Sequence, residues 1–309
     1  MPKYCSHPSR CPEAHAVRIP DGCSFLMNAI KKHLTLDEIK GFILSAYSLE
    51  HDKKGRTIIM YLLKYGIYED NLDDSPPKKI SNEAFCDFLT FLVKEKNQDV
   101  NKKDDNGLND LSHALIYNYD KCVIECLYNL GAKVDASHIK CALEYYDVSI
   151  LDTLVNWGAK VDASHIKCAL EHRLSRYTPD TLDTLVKLGG AVDASHIKYA
   201  LRYFSDMLDI LVKLGGKVDR SHIQYAIELG DYLHLSVLPT LVKLGGKVDS
   251  DHIKYALEHR LPLYVLDNLV KLGGEVDSDH IKYVLQHCTP TVKAKLIELQ
   301  KKAVTQSTL

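Results

Sequence analysis

Four side chains near the start of the chain have the chemistry of metal ligands. Cysteine and histidine alternate there in the pattern C-x-H-x3-C-x3-H, which comprises Cys5, His7, Cys11 and His15. Thiolate and imidazole groups suit Zn²⁺, and two of each form a common tetrahedral site. The spacing differs from the separated ligand pairs of ordinary zinc fingers. We therefore expect a reduced lead-in that binds no cofactor, and a zinc site formed by these four side chains is the alternative.

Six further histidines recur along the chain and invite a metal or catalytic interpretation. They are His138, His165, His196, His222, His252 and His280. Helix layers of stacked repeats lie about 10 Å apart, so two neighbouring imidazoles cannot share one Zn²⁺ at about 2.1 Å. Each of these residues follows a Ser or Asp at a predicted helix start, where its ring can hydrogen-bond to the backbone. The pattern favours a structural histidine ladder.

These histidines belong to a unit that recurs six times. The copies begin at Gly131, Gly158, Gly189, Gly215, Gly245 and Gly273. Each copy predicts two short amphipathic helices, with Ile139, Ala142 and Leu143 on one face of the first helix. Lys and Gly residues at the end of the second helix suit its last turn and a left-handed termination. A helix pair this small cannot bury its apolar stripe alone, so the units must stack and share one core.

Composition excludes several classes of protein. The chain of 309 residues is 46% apolar and carries a net charge of −2, which gives no general attraction to nucleic acid. It has neither a membrane-spanning apolar run nor the apolar stretch of a signal peptide. Phosphate-binding loops, G-x-S-x-G and HExxH motifs are also missing. We therefore expect a cytoplasmic protein with reduced thiols that is not an enzyme and binds neither nucleic acid nor membrane.

Two segments ahead of the six units resemble the ankyrin pattern D-x-x-G-x-T-P-L-H-x-A. They are DKKGRTIIMYL at 52–62 and DDNGLNDLSHA at 104–114, with a weaker third match at 20–29. The sequence LGAKVD at 130–135 likewise resembles the ankyrin junction L-x-x-G-A-x-V-N. The resemblance spans roughly residues 20 to 290 and implies an all-α solenoid of about nine ankyrin-like units. The six later units lack six residues before the first core position, which predicts that they have no projecting β-turn finger.

Four segments follow from this organisation. Residues 1–19 form the Cys/His-rich lead-in, and residues 20–130 contain ankyrin-like repeats with an inserted loop at 66–81. The six finger-less repeats occupy 131–288. Residues 289–309 are predicted to form a capping helix and a tail.

The predicted first helices of the finger-less repeats leave two surface rows. They contain Tyr199, Tyr225, Tyr255 and Tyr283, and Lys198, Arg202, Lys254 and Lys282. The sequence leaves two alternatives for the tyrosines, burial between repeats or contact with a ligand. Tyr and Arg are enriched at binding hot spots. The ankyrin resemblance implies a scaffold that binds a partner protein along a concave helical surface.

The sequences of these near-identical repeats are similar to those of ankyrin proteins from intracellular bacteria and large DNA viruses. That resemblance implies a monomeric secreted effector that acts on a host protein in the host cytoplasm. The alternative is an adaptor with a zinc-binding amino-terminal segment or a separate activity outside the repeats.

Overall fold

The protein is built almost entirely from short helices. Its computed structural model describes residues 25–31, 35–44, 51–69, 78–145, 148–172, 178–230 and 236–306. Within these ranges there is no strand, and Tyr68 forms isolated bridges to Thr35 and Lys79. The predicted all-α fold is confirmed. None of the described helices is long and apolar enough to cross a membrane.

Contacts divide the chain into an amino-terminal unit, Met1–Val161, and a carboxy-terminal unit, Asp162–Leu309. In the first unit the helices are α1 (Phe25–Ile30), α2 (Leu36–Leu44), α3 (Ile58–Tyr65), α4 (Asn82–Lys94), α5 (Asp110–Ile116), α6 (Lys121–Asn129), α7 (Ala136–Tyr145) and α8 (Leu151–Asn156). In the second they are α9 (Ala163–His172), α10 (Thr178–Lys187), α11 (Ala194–Tyr203), α12 (Leu208–Lys213), α13 (Arg220–Leu229), α14 (Leu238–Lys243), α15 (Ser250–Glu258), α16 (Leu263–Lys271), α17 (Ser278–His287) and α18 (Pro290–Gln306).

Within each unit the first helices of successive repeats pack side by side. Helix α3 contacts α1 and α5, and α5 contacts α7; in the second unit α11 contacts α9 and α13, and α15 contacts α13 and α17. The first helices other than α3 also pack on their own second helices, as α15 does on α16. Helix α18 closes the series by packing against α16 and α17.

The sequence encodes the start of each first helix locally. The Asp219 side chain accepts a hydrogen bond from the backbone N–H of Ser221, one of the donors that a helix start leaves unpaired. The apolar residues that follow at i, i+3 and i+4 are buried, as Ile223, Ala226 and Ile227 show. A capped start and one apolar face therefore fix both the beginning and the orientation of the helix.

A pair of glycines ends the second helix ahead of the last four repeats, and its two members act in different ways. Gly215 adopts a left-handed φ of +100°, which a side chain would strain. At Gly216 a Cβ atom would lie 2.8 Å from the Leu211 carbonyl oxygen and 2.9 Å from Val192 Cγ1. The first glycine reverses the chain, and the second lets it pass close to the preceding repeat.

Two β-turn fingers are present in the amino-terminal unit, finger 1 at 51–56 and finger 2 at 103–108. Ahead of finger 2, Asn97 has a left-handed φ of +53° and lies twelve residues before the helix cap Asn109. The corresponding Gly215 lies only four residues before the cap Asp219. The finger-less helix also begins two residues earlier relative to its first core residue. The net deletion between the left-handed residue and that core residue is therefore six residues, the number counted from the apolar positions.

Candidate protein-binding surface

Four of the six repeat histidines join their own helix start to the backbone of the preceding repeat. His222 Nδ1 accepts a hydrogen bond from the Asp219 backbone N–H at 3.1 Å, and Nε2 donates to the Ala194 carbonyl at 3.2 Å. The same pair of bonds recurs at three more repeats. The acceptor carbonyls there are Ala163 for His196, Arg220 for His252 and Ser250 for His280.

Both nitrogens of these buried rings are thus occupied by backbone groups. A metal ion would have to displace one of those bonds. No group of metal-competent side chains is found among the residues that the structure describes. At these four repeats the histidine consequently positions the first helix and has no ring nitrogen left for chemistry.

The predicted tyrosine row lies on the first helices of the carboxy-terminal unit and is neither buried nor fully exposed. Tyr199, Tyr225, Tyr255 and Tyr283 are all half-buried. In contrast, the cysteines that occupy the same slot earlier, Cys141 and Cys168, are buried. Half-burial fixes each ring while one part of it stays open to a ligand.

Charged side chains flank this row. Lys198 Nζ lies 5.7 Å from the centre of the Tyr225 ring in the next repeat, which is within cation–π distance. Lys254 and Lys282 are exposed and form surface ion pairs with Glu258 and Asp279. Pairs of this kind contribute little to stability, so these lysines can be released to a partner at small cost. The four tyrosines together with Lys198, Arg202, Lys254 and Lys282 are called the tyrosine face below.

Comparisons with known proteins bear on the fold. No family model and no curated protein matches the chain. One similar solved structure is the predatory endopeptidase Bd0816 from Bdellovibrio bacteriovorus in complex with the immunity protein Bd3460. The match is 18% identical, covers 62% of this chain and 98% of the other, and has a TM-score of 0.44. The human ASB11 ankyrin repeat domain matches at 17% identity, 79% and 98% coverage, and a TM-score of 0.39.

The repeats are ankyrin-like. This conclusion rests on three features of the chain: the paired helices, the two fingers, and the histidine at the third position of the first helix. The resemblance predicted from the sequence is confirmed, including the scarcity of fingers.

A second aromatic row on these ankyrin-like repeats was missed by sequence reasoning. One turn after the tyrosines, Tyr203 lies 4.8 Å from Tyr199, and His259 lies 3.8 Å from Tyr255, measured between ring centres. His287 is similarly placed 4.9 Å from Tyr283. The signal was available as aromatic residues at i and i+4, which share one helix face. This row widens the aromatic part of the tyrosine face.

Three of the described cysteines, Cys86, Cys126 and Cys141, have a thiol pKa above its ordinary value. Burial, reinforced by the neighbouring Cys126, raises the pKa of the Cys86 thiol to about 12. Burial likewise raises the pKa of Cys141 to about 11. A thiol of high pKa is a poor nucleophile at neutral pH. The candidate zinc ligands Cys5, His7, Cys11 and His15 lie outside the described residues, as do the centre of the inserted loop and the last three residues.

Proposed function

We propose that the protein is a non-enzymatic scaffold that binds a partner protein on the tyrosine face. The observation that carries the proposal is the repetition of half-buried tyrosines flanked by cations on successive first helices. Tyrosine supplies a large contact area with few rotatable bonds, and it is enriched at interface hot spots.

Rigidity of the underlying helices supports the same conclusion. Each of the four helices that carry the tyrosine face, α11, α13, α15 and α17, is capped by an aspartate and bonded to the preceding repeat by a histidine. A surface that is ordered before binding loses little conformational entropy when a partner arrives. The tyrosine face should therefore bind without a large rearrangement.

The repeat sequences resemble those of ankyrin proteins from intracellular bacteria and large DNA viruses, which favours a host protein as the partner. In that case the chain acts as a monomeric effector in the host cytoplasm.

The test is affinity capture from host-cell lysate with the full chain and a triple variant, Tyr199→Ala, Tyr225→Ala and Tyr255→Ala. The wild type should capture a partner that the triple variant loses. Tyr264→Ala removes an exposed tyrosine from the second helix α16 and is the matched control. Far-UV circular dichroism establishes that all variants remain helical. Identical partner lists for the wild type and the triple variant would refute the tyrosine face as the site.

A further inference from the structure

The amino-terminal unit holds a groove that the tyrosine face does not include. A cavity of about 250 Å³ lies between the two fingers and the helices α3 and α5. Its walls include the rings of Tyr61, Tyr65 and Tyr117. Neither the fingers nor these helices contribute to the tyrosine face, so the groove is a separate feature of the molecule.

Of the lysine and arginine side chains that line the groove, one forms an ion pair within the described part of the chain and two do not. Arg56 is held by Asp52, whose Oδ2 lies 2.5 Å from the guanidinium, and its NH2 group donates to the Tyr61 hydroxyl at 3.0 Å. Lys54 and Lys64 are exposed and form no ion pair with any residue that the structure describes. The Lys64 ammonium lies 5.3 Å from the centre of the Tyr65 ring, and neither ammonium group is neutralised by a described carboxylate, so both can pair with an acidic ligand.

The single carboxylate in the wall does not cancel these charges for a ligand. Asp104 Oδ1 accepts hydrogen bonds from the backbone N–H groups of Asn106 and Leu108 at 2.9 and 3.0 Å. Its other oxygen, Oδ2, lies 3.1 Å from His113 Nε2. A carboxylate with this many donors is already compensated locally, so the groove keeps a net attraction for anions.

His113 adds a second observation that points to a ligand. The side chain is 8% exposed, and its Nδ1 has no hydrogen-bond partner in the described structure. Burial lowers the pKa of His113, the Asp104 contact opposes that shift, and the nearby charges of Arg56 and Lys64 add to it. The ring is then neutral with Nε2 as the donor, so Nδ1 is an unused acceptor. A buried polar atom without a partner is uncommon in folded proteins.

The length of the groove wall suits an extended chain. Lys54 lies in finger 1, and Lys64 lies in the last turn of α3. The part of α3 from Ile58 to Lys64 rises about 9 Å at about 1.5 Å per residue, a length that three residues of an extended peptide span at about 3.3 Å each. The Tyr walls can pack against the methylene groups of glutamate.

From these contacts we propose that the groove between the fingers binds an acidic, extended segment of a partner protein. Carboxylates of the segment pair with Lys54 and Lys64, and its apolar atoms pack on the three tyrosine rings. The inference concerns a different surface from the tyrosine face and does not depend on it.

Fluorescence anisotropy with the full chain tests this inference. The probe is a fluorescein-labelled peptide with glutamate at alternate positions between leucine and serine, and its counterpart carries lysine in place of glutamate. The wild type should bind the glutamate peptide, and raising the salt from about 0.05 to about 0.5 M should weaken binding as the charges are screened. The variant Lys54→Glu with Lys64→Glu should bind at least ~tenfold more weakly.

Two controls keep the inference falsifiable. Lys94→Glu with Lys133→Glu reverses the same charge at exposed positions outside the groove and should bind like the wild type. The triple tyrosine variant should also retain the peptide, so failure here is distinguishable from failure of the tyrosine face. Equal binding by the Lys54/Lys64 variant, equal binding of the lysine peptide, or no binding by the wild type would each overturn the inference. Tighter binding of a single-stranded oligonucleotide would indicate general attraction of polyanions and would overturn it as well.

Discussion

Replacement of His222 by alanine tests the ladder most directly. The substitution removes two hydrogen bonds, to the Asp219 N–H and the Ala194 carbonyl, from a side chain with no exposed surface. Each backbone group left without a partner costs about 1–3 kcal/mol. Both groups lie near the exposed ends of helices, where water can partly replace the ring, so we take the lower part of that range. The expected loss in the free energy of unfolding is about 3 kcal/mol, including the small cavity left by the ring.

Urea unfolding followed by far-UV circular dichroism measures this loss in the full chain. The matched control is His259→Ala, which removes an exposed histidine that stacks on Tyr255 and bonds only within its own helix. Surface substitutions of this kind change stability by about 0.5 kcal/mol or less. If the two variants unfold at the same urea concentration, the histidine does not couple neighbouring repeats and the account of the ladder is wrong.

Three further predictions follow from local features. Gly216→Ala should destabilise the chain by about 1–3 kcal/mol through overpacking, whereas Lys217→Ala at the exposed neighbouring position should be neutral in the same urea assay. Because burial lowers the pKa of His138, the unfolded chain takes up a proton near pH 6.5 that the folded ring resists. The free energy of unfolding should therefore fall as the pH drops from about 7 through the lowered pKa, and a His138→Asn variant should show a smaller fall. Finally, elemental analysis of the purified full chain should find no zinc, as expected for a reduced lead-in, whereas zinc that is lost on deletion of residues 1–19 would establish the alternative zinc site.

The helix pattern was predictable because it rests on local rules. The apolar positions of the repeat, its aspartate caps and its glycine ends all act within a few residues, and the structure places them as expected. The histidine at the third helical position could also be predicted to bond to nearby backbone. Its bond to the preceding repeat could not, because that acceptor lies about thirty residues away and depends on the packing of two helices.

Other features depend on packing that a single sequence does not display. The earlier start of the finger-less first helix was not predicted, since apolar spacing marks core positions but not the residue at which a helix begins. Half-burial of the tyrosines results from the distance between neighbouring helices. The groove in the amino-terminal unit was missed entirely, because finger 1 and finger 2 are separated by about fifty residues and meet only in the fold.

Loss of the fingers changes how neighbouring repeats are joined by polar contacts. In the amino-terminal unit the Asp105 N–H donates to the Lys54 carbonyl at 2.9 Å, so one finger bonds to the next. Beneath them Thr57 donates to Asp110, and burial raises the pKa of that carboxyl well above its usual range. A finger-less unit has neither contact. Its histidine supplies the missing connection by donating to the carbonyl at the start of the preceding helix.

The junction between the two kinds of repeat shows the exchange within one contact. His138 belongs to the first finger-less helix, and its Nε2 lies 2.9 Å from Asn109 Oδ1. Asn109 is also the cap of the last finger-bearing helix, where its side chain accepts from the Ser112 N–H. The histidine therefore reaches a capping side chain at this junction and a backbone carbonyl in the later repeats. In these repeats the aspartate caps the helix and the imidazole bonds the helix to its neighbour, so a polar connection between repeats persists without a finger.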